Sequence, residues 1–230
     1  MESTTNLRES MADRVKRVLL QQIVTGKLAA GTRLLELQLA KEFDTSQGPV
    51  REALRELEAM GLVFTQPYKG TYVREVTNKE ICEAYSVRAL LEGHAGQLAA
   101  SRLKDDVKLL ATEASAVREA ARKKNAERYA HHDIRFHRLI VEAAGSQVLL
   151  RTWDSLTLAV RVRLWLMKGY VDMEEAEKAH WPIVDALEAG NGRLAGRLLS
   201  QHIRQVMQMH ATGAEAATGV SAIARGMRGR

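Results

Sequence analysis

Between Leu7 and Thr25, Val15, Leu19 and Ile23 recur every four residues with polar positions between them, the pattern of an amphipathic helix. Gly26 follows the last apolar position and suits a left-handed helix end. A second, shorter helix is expected from about Glu36 to Phe43, with Leu39 and Ala40 inward. A third starts near Ser46, whose hydroxyl can cap it, with Pro49 in the first turn, where a missing N–H costs nothing. This third segment has two faces: Val50, Ala53, Leu54 and Leu57 on one, and Gln47, Arg51 and Arg55 on another. The first face packs and the second is free to read a groove, which predicts a helix-turn-helix. After Gly61 the pattern shifts to LVFTQ, PYKG and TYV, alternating like two strands around a turn. Lys69 and Gly70 stand at the tip of this expected wing, where lysine can meet phosphate and glycine lets backbone approach a groove.

Thr77 and Glu80 form a capping-box pattern behind REVT, so a boundary falls near residues 74–77. Beyond it the helical period predicts six segments, at about 78–103, 105–124, 126–144, 147–168, 173–189 and 192–210. Their breaks lie at Asn125, Gly145, Gly169 and Gly190-Asn191-Gly192, and such short connections favour an antiparallel bundle. The expected division is residues 1–75, 76–210 and a tail, 211–230, that lacks apolar periodicity and is expected to be mobile. The fold class is therefore mainly α: a winged helix-turn-helix of three helices and a small β-hairpin, then an all-helical six-helix bundle.

Composition adds less than it first suggests. With 46% hydrophobic residues the 230-residue chain can bury a core, and its net charge of +6 fits a nucleic-acid partner. Yet residues 1–75 carry 11 Lys/Arg against 10 Asp/Glu, so a nucleic-acid reading must rest on placed residues rather than bulk charge. No long apolar run suggests a membrane span or an export signal, and the expected location is the cytoplasm. Cys82, the single cysteine, excludes an internal disulfide and reads as a small core residue.

The helical segment carries a cluster of candidate chemistry. Asp133 and His137 are one turn apart on a face shared with Tyr129, Ile140 and Ala144. His180 stands with Ile183 and Leu187, and His202 with Leu198 and Val206. Singly, each is more often a hydrogen-bonded core residue. Together, three imidazoles and a carboxylate aimed inward need partners that one divalent metal supplies. His94, His131, His132 and His210 lack that context and read as structural or exposed. Arg88 and Glu92 share the stripe of Ile81, Tyr85 and Ala95, which sets a charged pair against the bundle interior.

The chain resembles the GntR-family transcription regulators of the branch with an all-helical FCD effector domain. The likeness runs from about residue 10 to 210. It is carried by Gly26, Gly31, Leu34, Glu36, Leu39, Ala40, Ser46, Pro49 to Leu54, Leu57, Gly61, Leu62, Gly70 and Val73. Further on, D-x-x-F-H at 133–137, His180 before I-V-D-A-L and His202 before Ile203 match the ligands of the metal-binding FCD subgroup in order and approximate spacing. The resemblance implies a non-enzymatic homodimeric regulator, a repressor, on a pseudo-palindromic double-stranded operator. The DNA face is expected to comprise Ser46, Gln47, Gly48, Arg51, Arg55, Lys69 and Gly70, with Arg51 bonding a guanine edge. Gln47 and Leu37 stand where arginine is common in the family, and glutamine prefers adenine edges. One divalent metal per subunit is implied: zinc first, with nickel, manganese or iron as alternatives. In the family the arginine equivalent to Arg88 can lie near the ligand cavity, so a small organic acid bridging metal and Arg88 is the expected effector. A direct metal sensor is one alternative. A metal-dependent hydrolase is another, although no H-E-x-x-H motif is present.

Overall fold

The computed structural model describes residues 9–156, 162, 166, 169 and 171–226. The chain divides into two compact units, the first ending at Val76 and the second starting at Thr77.

In the first unit, α1 (Met11–Val24) begins where the Ser10 side chain accepts from the Asp13 N–H, and Gly26 behind its C-terminus has φ 72°. The Leu7 end of the expected helix lies outside the described residues. α2 (Glu36–Glu42) and α3 (Gln47–Ala59) follow, and the apolar face foreseen for α3 is buried at Val50, Ala53, Leu54 and Leu57. Val15 and Leu19 of α1 pack into the same small core, and Lys16 ties α1 to Glu56 of α3 at 2.5 Å. Ser46 does occupy the N-cap position of α3, but its hydroxyl makes no capping bond there. That corrects the expected cap and leaves the hydroxyl exposed.

The wing is larger than a hairpin. β2 (Val63–Gln66) and β3 (Gly70–Val73) pair antiparallel, and β1 (Arg33–Leu34) adds to the far side of β3 to give the order β1-β3-β2. Arg33 faces Tyr72 across β1 and β3, and Phe64 faces Tyr72 across β2 and β3. A two-residue strand is too short to show alternation, which is why β1 left no trace in the periodicity.

The second unit is helical throughout its described residues. α4 (Asn78–Leu103) opens with the capping box of Thr77 and Glu80 and runs against the last helix, α10 (Gly192–Gly226). α5 (Lys108–Arg122) packs on α6 (Ala126–Ala143), and α7 (Gln147–Ser155) joins α6 and α4. The remainder of the helix expected over 147–168 lies mostly outside the described residues. The single helix expected over 173–189 is instead two, α8 (Met173–Glu177) and α9 (His180–Glu188). Pro182 accounts for the break: without an N–H it cannot bond the Lys178 carbonyl, so it is tolerated only in a first turn. α10 continues well past His210, where the expected helix ended; its alanine-rich continuation favours helix without needing an apolar stripe. Phe136, Ile140, Ile183, Leu187 and Leu199 form the centre of the core. Cys82 is only partly buried.

Candidate metal centre and nucleic-acid face

Asp133 and His137 sit one turn apart on α6, His180 is the first residue of α9, and His202 lies on α10. All four are buried, and one donor atom from each lies within 4.8 Å of the others. The core packing of α6, α9 and α10 brings these far-separated positions together. His137 and His202 stack face to face with centroids 5.4 Å apart, and His180 meets His202 edge-on at 4.8 Å.

The ring nitrogens decide what the cluster can hold. His180 Nδ1 lies 3.0 Å from the Glu177 carbonyl oxygen, which can only accept, so the proton belongs on Nδ1. His180 Nε2 then turns a lone pair toward Asp133 Oδ1, 3.4 Å away, and has no hydrogen-bond partner. At His137 a carboxylate stands in the place of that carbonyl. His137 Nδ1 lies 2.5 Å from Glu92 Oε2, in ion-pair range though out of line for a hydrogen bond, while Nε2 is 3.7 Å from Asp133 Oδ1 and also unpartnered. Two lone pairs and a carboxylate facing one another repel, and a cation between them removes the conflict. Bonds of about 2.0–2.2 Å from one ion require donors no more than about 4.4 Å apart, so a contraction of a few tenths of an ångström would close the set. The residues fit a divalent metal.

Charge surrounds this cluster in layers. Burial opposes the Asp133 charge, yet any proton on the facing nitrogens of His180 and His137, with the Arg88 guanidinium, holds its carboxyl well below the usual range. Burial pushes the His202 imidazole well below its ordinary value, with His180 and His137 adding to the effect, which favours the neutral, ligating form. Burial likewise lowers His137, against the pull of Glu92. Glu92 itself is held at about 2: burial acts to raise it, but Arg88 and His137 outweigh that. Its Oε1 accepts from Arg88 Nε and Trp153 Nε1, each at 2.7 Å.

Arg88 therefore does pair with Glu92 as the spacing suggested, and its Nη2 also reaches within 3.7 Å of Asp133 Oδ2 without a hydrogen-bond partner. Arg88, Tyr85, Tyr129, Asp133 and His202 line a narrow cavity of about 20 Å³, together with apolar side chains such as Val171 and Ile203. The role of Glu92 behind His137 was not visible in the sequence, because the R-x-x-x-E spacing accounts for only one side of its carboxylate. Of the other histidines, His94 and His131 are exposed, His132 pairs with Glu113 at 2.8 Å, and His210 meets Asn78 at 3.3 Å.

On the first unit, Ser46, Gly48, Arg51 and Arg55 are exposed at the start and along the outer face of α3, and Gln47 is half-buried. Arg51 Nε meets Glu36 Oε2 of α2 at 2.6 Å, and its Nη2 donates to Gln47 Oε1 at 3.0 Å. Arg55 forms no ion pair among the described residues. Lys69 is exposed at the wing tip, and Gly70 has φ 98°. A side chain at Gly70 would sit 3.3 Å from the Arg33 guanidinium, so β1 brings a further cation to the wing that sequence reasoning missed.

Residues 11–73 match the family model of the bacterial regulatory proteins of the gntR family, and residues 83–205 match that of the FCD domain. The chain belongs to the GntR family, in the branch with an FCD domain. A probable D-xylose utilization operon transcriptional repressor of Paenarthrobacter nicotinovorans is 36% identical to this GntR-family chain over 85% of it and 87% of the relative. The HTH-type transcriptional repressor RspR of Escherichia coli strain K12 is 26% identical, covering 90% of this chain and 92% of its own. Among solved structures, E. coli McbR/YncC has the same fold, with a TM-score of 0.71 at 24% identity over 88% of this chain and 98% of that one. The first two are transcriptional repressors by name, and the GntR-family chain has the mainly helical architecture and small antiparallel sheet expected from its sequence.

Proposed function

We propose that this GntR-family chain is a homodimeric, sequence-specific transcriptional repressor whose operator affinity is set by a small organic acid held at a divalent metal. One observation carries the control element: the Nε2 atoms of His137 and His180, neither with a hydrogen-bond partner, converge on the Asp133 carboxylate beside the unpartnered Arg88 Nη2, at the wall of a small cavity. Asp133, His137, His180 and His202 would hold the ion, with zinc the first choice and nickel, manganese or iron acceptable to the same donors. The ion supplies positive charge for a carboxylate oxygen. Arg88 would orient the acid from the other side, while Tyr85 and Val171 keep water out. An acid that binds one arrangement of the dimer better than another shifts the population able to engage DNA.

On the output side, α3 would enter the major groove with Arg51 as base reader, Ser46, Gln47, Gly48 and Arg55 alongside, and Lys69 and Gly70 in the wing. Val87, Leu90 and Leu98 are exposed on α4, and an apolar surface of that kind supports pairing with a second copy. No helix among the described residues is long and apolar enough to cross a membrane, which agrees with action in the cytoplasm.

The test uses the full chain and a duplex recovered from random sequence by the chain itself. Operator affinity is measured after chelation, after zinc is restored, and then with a panel of small carboxylic acids. An acid that alters affinity only when zinc is present, and fails to do so in Arg88→Ala, supports the reading. If zinc alone switches affinity the chain is a direct metal sensor, and if no acid acts in either state the effector reading is wrong.

A further inference from the structure

Arginine has only donors, so the 3.0 Å contact from Arg51 Nη2 can be made only by the carbonyl end of the Gln47 amide. The direction of that amide is thereby settled: Oε1 faces Arg51, and the NH₂ group is left to point elsewhere. Adenine recognition by glutamine needs both ends at once, Oε1 accepting from N6 and Nε2 donating to N7. With its carbonyl oxygen turned to Arg51 and one of its two lone pairs taken there, Gln47 meets a base with its NH₂ donor first. Glu36 completes the arrangement from α2, accepting from Arg51 Nε at 2.6 Å. Both contacts lie along one edge of the guanidinium, and the opposite donors remain for DNA.

We propose that Glu36, Arg51 and Gln47 act as one preassembled donor array. Glu36 is a positioning residue, and Gln47 selects a base-edge acceptor, above all guanine N7 or O6, rather than adenine. This rests on the reading of α3 as the recognition helix. The array costs some attraction, since a carboxylate is held beside the phosphate backbone; Glu36 should therefore lower affinity for DNA in general while raising discrimination. A residue that merely stabilised the fold would move both affinities together.

The experiment measures binding of the full chain to two duplexes, one selected by the wild type from random sequence and one scrambled to the same composition. Glu36→Gln should weaken the selected duplex and leave the scrambled one equal or tighter, so that the ratio falls about tenfold, the scale of one bidentate base contact. Glu36→Asp keeps the charge in the first turn of α2 but is a methylene too short, and should lose the ratio without any gain on scrambled DNA. The Glu36 side chain is about one-third exposed, at 36%, and melting curves check that the variants are folded. Purine positions of the selected duplex are then replaced singly by 7-deaza analogues. One guanine should matter to the wild type and not to Gln47→Ala. An unchanged ratio in both Glu36 variants, or an adenine preference that disappears with Gln47→Ala, overturns the proposal. If the wild type binds both duplexes equally, the failure lies in the reading of α3 itself.

Discussion

Glu92 shows how much one residue can decide when it is buried. Its Oε1 accepts from Arg88 and Trp153, and the charge on Oε2, 2.5 Å from His137 Nδ1, draws the imidazole proton to that side and leaves the Nε2 lone pair for a metal. In Glu92→Gln the amide oxygen can still accept from Arg88 and Trp153, which turns NH₂ toward His137. The imidazole must then accept at Nδ1 and carry its proton on Nε2, where the metal would bind. Zinc affinity should fall about 10- to 100-fold, the usual cost of losing such a partner, and isothermal titration measures it. The uncompensated Arg88 should also cost about 3–5 kcal/mol of stability, read from urea unfolding without metal. An unchanged zinc affinity would mean that Glu92 serves only the ion pair.

At the level of elements, the metal centre depends on how closely α10 lies against α4. Gly196 allows that approach, since a Cβ there would overlap the Gly93 carbonyl oxygen, and backbone on both sides cannot step aside. Gly196→Ala should therefore separate the two helices and destabilise the unit by about 1–3 kcal/mol, despite alanine being the better helix former. Because His202 rides on α10, zinc affinity should drop as well. Thermal melting with and without zinc checks both effects, and a more stable variant would show that the helices have room. α9 offers a contrasting lesson: Pro182 is plain in the sequence, but its effect on a helix expected over 173–189 depends on which carbonyl it would have had to meet. The period continued through it, while the hydrogen-bond ladder could not.

For the whole molecule, the metal should act as a folding ligand of the second unit. A native-state ion at 100 times its dissociation constant adds about 2.7 kcal/mol, which corresponds to a rise of roughly 5–10 °C in melting temperature for a chain of this size. Differential scanning calorimetry of chelated and zinc-loaded protein should show that rise, and the Asp133→Ala variant should show little of it. Coincident traces for the wild type would remove the metal from the account. The two compact units make a further comparison useful: a transition of the first unit that ignores zinc would show that the stabilisation is confined to the helical one.

Most of the helices, and the families of side chains on their faces, are legible in the sequence alone. Helical period marked Val50, Ala53, Leu54 and Leu57 as core and left Arg51 outside, and it put Asp133, His137, His180 and His202 on inward stripes. These are local consequences of backbone geometry, so a short window of residues contains them. What the tertiary structure alone decided are the partners across elements: Glu36 on Arg51, Glu92 behind His137, Arg33 beside Gly70, and β1 at the edge of the wing. Each joins residues that no common period links, and each depends on the distance and rotation at which two elements pack. The tautomer of His137 follows from Glu92 across the elements, while the amide direction of Gln47 and the tautomer of His180 rest on the local contacts with Arg51 and the Glu177 carbonyl.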